Sequence, residues 1–251
     1  MRGCWKAIVL VVALCQCIAG FVFLRTRGRP SNRARAEWLQ RSCKLVLARL
    51  GFGLGIEGTP PERGLVASNH LSYLDILFFG ATLPCVFVAK VEVRSWPMLG
   101  LLAALGGTVF IDRRSAASAA AAANRIQELL VEGVPVLVFP EGTSSDGAEV
   151  LRFYSSLFEP AARTAAPVTA AAIGYSAGAG AVERDLCYYG DISFAPHLLE
   201  TLRMPEITGT LRFARSGCIF EDRKKAALLT RAAVVELRSH PPRDRGIPDK
   251  A

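Results

Sequence analysis

At 251 residues, 51% of them hydrophobic, the chain holds one catalytic domain with a sizeable core and is more apolar than most soluble domains. Its net charge of +8 calls for an anionic partner; the densest basic run (Arg25, Arg27, Arg29, Arg33 and Arg35) contains no aromatic, which excludes a nucleic-acid stacking surface and favours an acidic membrane. Seven cysteines without a CxxC pair, and three histidines in no cluster, exclude a disulfide scaffold and a zinc centre and imply reduced thiols in a cytosol-facing protein.

Residues Ala7 to Leu24 are apolar except for Gln16. An 18-residue helix spans roughly 27 Å, close to the hydrocarbon thickness of a bilayer. Arg2 and Lys6 precede it and the arginine run follows, so the positive-inside rule leaves the catalytic domain on the cytoplasmic face. A cleaved signal peptide is the competing reading, opposed by the length of the apolar core and by the arginines just beyond it. A lipoprotein signal is opposed by Leu14 before Cys15, the wrong size for that cleavage site. The segment 1–30 is thus expected to be a membrane-anchoring helix with a basic flank.

In 31–50, Leu39, Cys43, Val46 and Leu50 recur at helical spacing, with Arg41 and Lys44 on the opposite face. That pattern fits a helix lying on the membrane surface and equally one packed on the domain.

From 51 to 240 the chain alternates strands and helices. Strands are expected at 65–67, 86–89, 108–111, 136–139 and 168–173, with helices at 72–81 and 115–132, the second closed by Gly133 and Pro135. The fold class is therefore α/β, a mixed sheet flanked by helices, with polar residues gathering where strands end. His70, Arg113 and Glu141 each follow a strand directly. No apolar run after residue 24 reaches 18 residues, and a disordered tail is expected over 241–251.

His70 stands at such a strand end, with Asp75 five residues on. Within one regular helix, positions i and i+5 point about 140° apart. The pair meets only if His70 precedes the helix and Asp75 lies a turn inside it, with Ser72 as the N-cap. A carboxylate on one ring nitrogen fixes the tautomer and leaves the other to take a proton.

The run Asn69-His70-Leu71-Ser72-Tyr73-Leu74-Asp75 resembles the H-x4-D motif of the lysophospholipid acyltransferases of the glycerolipid acyltransferase superfamily. Gly107-Thr108-Val109-Phe110-Ile111-Asp112-Arg113 resembles their second motif, Phe139-Pro140-Glu141-Gly142-Thr143 their third, and Pro167-Val168 a loose fourth. The resemblance covers roughly residues 64 to 175. It implies direct acyl transfer from acyl-CoA or acyl-carrier protein as co-substrate, with no other cofactor, to a membrane lysolipid. The default acceptor is 1-acylglycerol-3-phosphate, giving phosphatidic acid. His70 is then the base, Asp75 its orienting partner, and Arg113, Glu141, Gly142 and Thr143 bind the acceptor. Physically, Arg113 suits a phosphate. An anionic Glu141 does not; it suits an acceptor hydroxyl or a pairing with Arg113, and Gly142 lets backbone approach closely.

One departure stands out. The third motif of phosphatidate-making members continues with arginine, and here Ser144 follows Thr143. The run Gly142 to Gly147, together with Val88-Ala89-Lys90, resembles a branch that includes lyso-ornithine lipid acyltransferases. Lys90 is a candidate contact to an acceptor or donor phosphate. Two further readings use the same residues: a thioester or ester hydrolase, which needs water beside His70, and a silent lipid-binding protein, which needs no base.

Overall fold

The structure, a computed structural model, describes residues 2–96, 98–178 and 181–239; the tail expected to be disordered lies outside them. Two helices come first, α1 (Arg2–Thr26) and α2 (Asn32–Leu50). Then follow β1 (Gly53–Glu57), β2 (Leu65–Ser68), α3 (Leu74–Thr82), β3 (Val86–Lys90), α4 (Leu99–Gly106), β4 (Val109–Ile111) and α5 (Ala116–Val131). The chain continues with β5 (Val136–Val138), α6 (Glu159–Thr164), β6 (Val168–Ala177), α7 (Phe194–Arg203), β7 (Ile207–Phe213) and α8 (Arg223–Ser239).

The strands form one sheet in the order β1-β7-β6-β2-β5-β3-β4. The neighbours from β6 to β4 pair in parallel, and helices carry the chain back between them. At the other end β7 is antiparallel to β6 and parallel to β1, so the sheet is mixed, as the alternating pattern implies. Because β2, β3, β4 and β5 run the same way, the turns after them emerge along one edge of the sheet.

Both faces of the sheet are covered. Val66, Leu137 and Ile173 point into a core shared with α1, α2 and α3, while Leu65, Ala67, Val136 and Val138 face α5 and α8. Alternate residues of each strand thus enter different cores, which is why the strands read as unbroken apolar runs. Ser31 caps α2 by accepting the Ala34 N–H at 3.2 Å, and Gly51 ends it in the left-handed conformation. The Leu39, Cys43, Val46 and Leu50 stripe is buried, and Trp38 joins it by donating its indole N–H to the Cys17 carbonyl at 3.0 Å. Ser115 caps α5 through the Ser118 amide.

Where β2 runs out, Asn69 continues its ladder with a side chain. Its amide donates to the Ile173 carbonyl at 3.1 Å and its carbonyl accepts the Ile173 N–H at 3.0 Å, all of it buried. The backbone is thereby freed to turn away from the sheet at His70. Asn69→Ala orphans the buried Ile173 N–H, at a cost of about 2 kcal/mol. Thermal unfolding in detergent should fall by roughly 4–8 °C for a chain of this size; a change under a degree would show that the bracket is dispensable.

Candidate functional site

The segment from His70 to Ser72 is a corner with no regular structure, pinned from outside. Its His70 carbonyl accepts the Ser145 N–H at 2.9 Å and its Leu71 carbonyl accepts the Tyr188 N–H at 2.8 Å. Asp75 lies a turn into the chain beyond, and its side chain folds back. Oδ2 stands 2.6 Å from His70 Nδ1 and accepts the Leu71 and Ser72 amides at 2.8 and 3.2 Å. Oδ1 accepts the hydroxyl of Tyr175 from β6. The cap expected of Ser72 does not form: α3 begins at Leu74 with no side-chain cap, and the Asp75 N–H donates to the Ser72 backbone carbonyl at 3.1 Å. The Ser72 hydroxyl is buried and has no partner among the described residues.

His70 is 22% exposed while the Asp75 side chain is fully buried. The imidazole stacks on Phe139, with centroids 4.1 Å apart and the planes 14° from parallel. With a carboxylate at Nδ1, that nitrogen carries the proton and Nε2 keeps its lone pair.

The other sequence-derived residues gather along the same sheet edge. Arg113, two residues past β4, donates from Nη1 to the Gly142 carbonyl at 2.8 Å. Gly142 has φ +75°, and a Cβ there would stand 2.5 Å from Arg113 Nη1 and 2.9 Å from the Tyr154 ring, so only glycine fits. Lys90 ends β3, paired in register with Ile111, and is exposed. Thr143 is exposed beside them. Ser144, the departure from the family motif, donates its hydroxyl to the Tyr188 carbonyl, tying this loop to the segment before α7.

Glu141 behaves differently from the expected ion-pair partner. It is buried, and neither carboxylate oxygen has a hydrogen-bond partner among the described residues. Arg113 is bonded to the Gly142 carbonyl instead, because the left-handed turn at Gly142 brings that oxygen to the guanidinium. Burial pushes the Glu141 carboxyl up to about 8, and the Asp75 charge adds to this. The backbone amides of His70 and Leu151 face it and oppose the shift, without forming well-aligned bonds.

A cavity of about 320 Å³ lies beside the corner, walled by apolar side chains of the first four helices and α7, among them Leu14, Val46, Leu77, Leu102 and Leu198. It reaches Tyr73 and Leu74 but not His70, Arg113 or Glu141. Tyr73, which lines the cavity, places its hydroxyl 3.0 Å from His197 Nδ1. Burial lowers the His197 pKa. Sequence reasoning missed Tyr175 and the ring of Phe139 as neighbours of the His–Asp pair. Tyr175 is 100 residues from Asp75, and no local signal links them.

Comparison with known proteins is consistent along most of the chain. A family model described as Acyltransferase matches residues 54–174. The lyso-ornithine lipid O-acyltransferase of Rhodobacter capsulatus is 34% identical over 214 residues, 80% of this chain and 75% of that protein. The 1-acyl-sn-glycerol-3-phosphate acyltransferase of Neisseria meningitidis serogroup B is 39% identical over 151 residues, 59% of this chain and 58% of that one. The crystal structure of the 1-acyl-sn-glycerophosphate (LPA) acyltransferase PlsC from Thermotoga maritima superposes with a TM-score of 0.64 at 21% identity, covering 97% of this chain and all of that one.

The raised Glu141 carboxyl has a consequence for stability. Its folded pKa lies above the unfolded value, so the folded state holds a proton that the unfolded state gives up between about pH 4.5 and 8. Stability from this group therefore declines as pH rises through that window. Glu141→Gln removes the titration. Its melting temperature relative to the parent should rise steadily from pH 5 to 8, by the equivalent of roughly 2–4 kcal/mol. A pH-independent difference would contradict the assignment.

Proposed function

This chain belongs to the acyltransferase family and is an acyltransferase, and we propose that it moves an acyl chain from a thioester donor to the free hydroxyl of a lysolipid. The observation that carries the reading is the 2.6 Å contact between His70 Nδ1 and the fully buried Asp75, beside a buried Glu141 with no hydrogen-bond partner among the described residues.

In this mechanism Nε2 of His70 takes the proton as the acceptor oxygen attacks the thioester carbonyl. The carbon–sulfur bond breaks, and the imidazolium returns its proton to the departing thiolate. Asp75 holds the ring and stabilises its positive form, a device worth ~10²–10⁴-fold in rate. No side chain is acylated. Glu141, neutral before substrate arrives, is placed to hydrogen-bond an acceptor hydroxyl; Arg113, Lys90, Thr143 and the close-approaching backbone at Gly142 hold the headgroup. The apolar cavity takes a hydrocarbon chain, whose far end lies against α1, α2 and α4. The donor is acyl-CoA or acyl-carrier protein.

For the acceptor, lysophosphatidate and lyso-ornithine lipid share this chemistry. Ser144 favours the second, because its hydroxyl is committed to the Tyr188 carbonyl where an arginine would have added a forked phosphate contact. The relatives named for lyso-ornithine lipid also align over 70–80% of this chain, whereas those from Neisseria named for 1-acyl-sn-glycerol-3-phosphate align over 59%.

The anchor reading follows from α1. One face is apolar and exposed, at Trp5, Ile8, Val11, Val12, Val22 and Phe23. The other is docked on the domain from end to end: Lys6 Nζ donates to the Met204 carbonyl at 3.0 Å, and Phe21 packs edge-on against Trp38 at 4.9 Å. A helix that carries the domain along its whole length sits in the near leaflet with the domain beside it, in place of a full span. The arginine run then meets anionic headgroups on the cytoplasmic face.

The test supplies radiolabelled acyl-CoA and a panel of lysolipids to membranes containing the protein. Label should appear in diacyl product, with lyso-ornithine lipid the better acceptor; label recovered only as free fatty acid would sink the transferase reading. His70→Ala should lower turnover at least ~10²-fold with the fold and membrane association unchanged. Ser144→Arg should turn selectivity toward phosphate-bearing acceptors, and an unchanged ratio would remove the argument from that position.

A further inference from the structure

We propose that Tyr175 is a positioning residue for the acyl transfer, acting on the base through Asp75. The hydroxyl of Tyr175 donates to Asp75 Oδ1, the oxygen that His70 does not use. Tyr175 comes from β6, four strand positions beyond the last residue that pairs with β2. Its ring is buried, with its centroid 5.7 Å from that of Phe78, and its N–H donates to Glu183 Oε1 at 2.8 Å. Both ends of the residue are therefore fixed, and the hydroxyl has one place to point. Burial, reinforced by the Asp75 charge, keeps the phenol protonated, so it serves as a donor.

The geometry divides the carboxylate between two tasks. Oδ2 holds the corner amides and the imidazole, while among the described residues Oδ1 is held by the phenol alone. Without the phenol, Oδ1 has no donor among the described residues, and the carboxylate loses one of the four bonds that fix its χ2 torsion. The negative charge would also concentrate at Oδ2. A firmer negative charge there favours the imidazolium, so the neutral base appears only at higher pH. Other charged groups around the pair are Glu141 near Asp75, and Glu183 with its ion-pair partner Arg238 behind Tyr175 at 2.8 Å. Cys187 also faces the phenol.

The proposal rests on His70 being the base, and His70→Ala tests that separately: a dead His70→Ala beside a fully active Tyr175→Phe refutes only the positioning role. Tyr175→Phe in detergent-solubilised full-length protein should lower kcat roughly 10-fold, part of the ~10²–10⁴-fold that a positioned base contributes. KM for the lysolipid should stay within about two-fold, and the acid limb of the pH–rate profile should move upward. In an Asp75→Asn background the same change should cost almost nothing more, because the phenol works through that carboxylate. Site-specific 3-fluorotyrosine at 175 keeps the shape while acidifying the hydroxyl, and should move the acid limb downward; it decides the matter even if the phenylalanine variant folds poorly. Parental kcat and pH profile in both variants would overturn the proposal, as would a loss that adds fully to that of Asp75→Asn.

Discussion

A carboxylate taken out of water must be surrounded by donors, and Asp75 is surrounded by four: two corner amides, the His70 ring and the Tyr175 hydroxyl. That requirement organises the site. The amides are available only because the chain breaks from β2 into an irregular corner before α3 begins, and the phenol only because β6 runs on past the end of β2. An isolated buried carboxylate is costly, and removing one donor from such a set costs more than the bond is worth in water. The His–Asp contact is thus a consequence of how strand, corner and helix meet.

The same sheet edge supplies the rest. Parallel strands deliver their following turns to one side, so residues 70, 90, 113 and 141 arrive together although spread over 72 positions. Around them the structure separates two kinds of polar group. Arg113 gives one guanidinium nitrogen and Ser144 its hydroxyl to backbone carbonyls, which shapes the loop from Gly142 to Ser145. Glu141 has no hydrogen-bond partner among the described residues, which is uncommon for a buried carboxyl. Beside this polar edge lies the apolar cavity, and beyond it the exposed face of α1. On the proposed function, a substrate with a polar head, a hydroxyl and a long chain meets each region in turn.

Much of this was legible in the sequence, for physical reasons. The i, i+5 spacing of His70 and Asp75 is incompatible with one helix and so implies a corner. Strands buried on both faces read as apolar runs, and Ser115 before an alanine-rich stretch reads as a helix start. The elements that were not anticipated lack those signals. Strand β1 is an edge whose Gly53 and Gly55 make room for Thr208 and Thr210, so it carries little apolar pattern. Helix α8 buries Ala226, Ala227 and Thr230 and exposes Leu228 and Leu229, which inverts the usual stripe. Ser72 has the right identity for a cap, yet α3 begins beyond it at Leu74 and the Asp75 N–H goes to the Ser72 backbone carbonyl, a choice that only the tertiary fold decides. Tyr175 could not be read at all, because strand register, not spacing, brings it to Asp75.

The proposed mechanism turns on one state of one ring: Asp75 is to keep the His70 proton on Nδ1 and leave Nε2 bare to receive the acceptor's. With three histidines in the sequence, ¹⁵N-histidine NMR of the detergent-solubilised protein, assigned by a His70→Gln spectrum, reads that state directly. The account predicts that neutral His70 is the Nδ1–H tautomer, with a strongly hydrogen-bonded proton that disappears in Asp75→Asn. A neutral His70 protonated at Nε2, unaffected by Asp75→Asn, would contradict it.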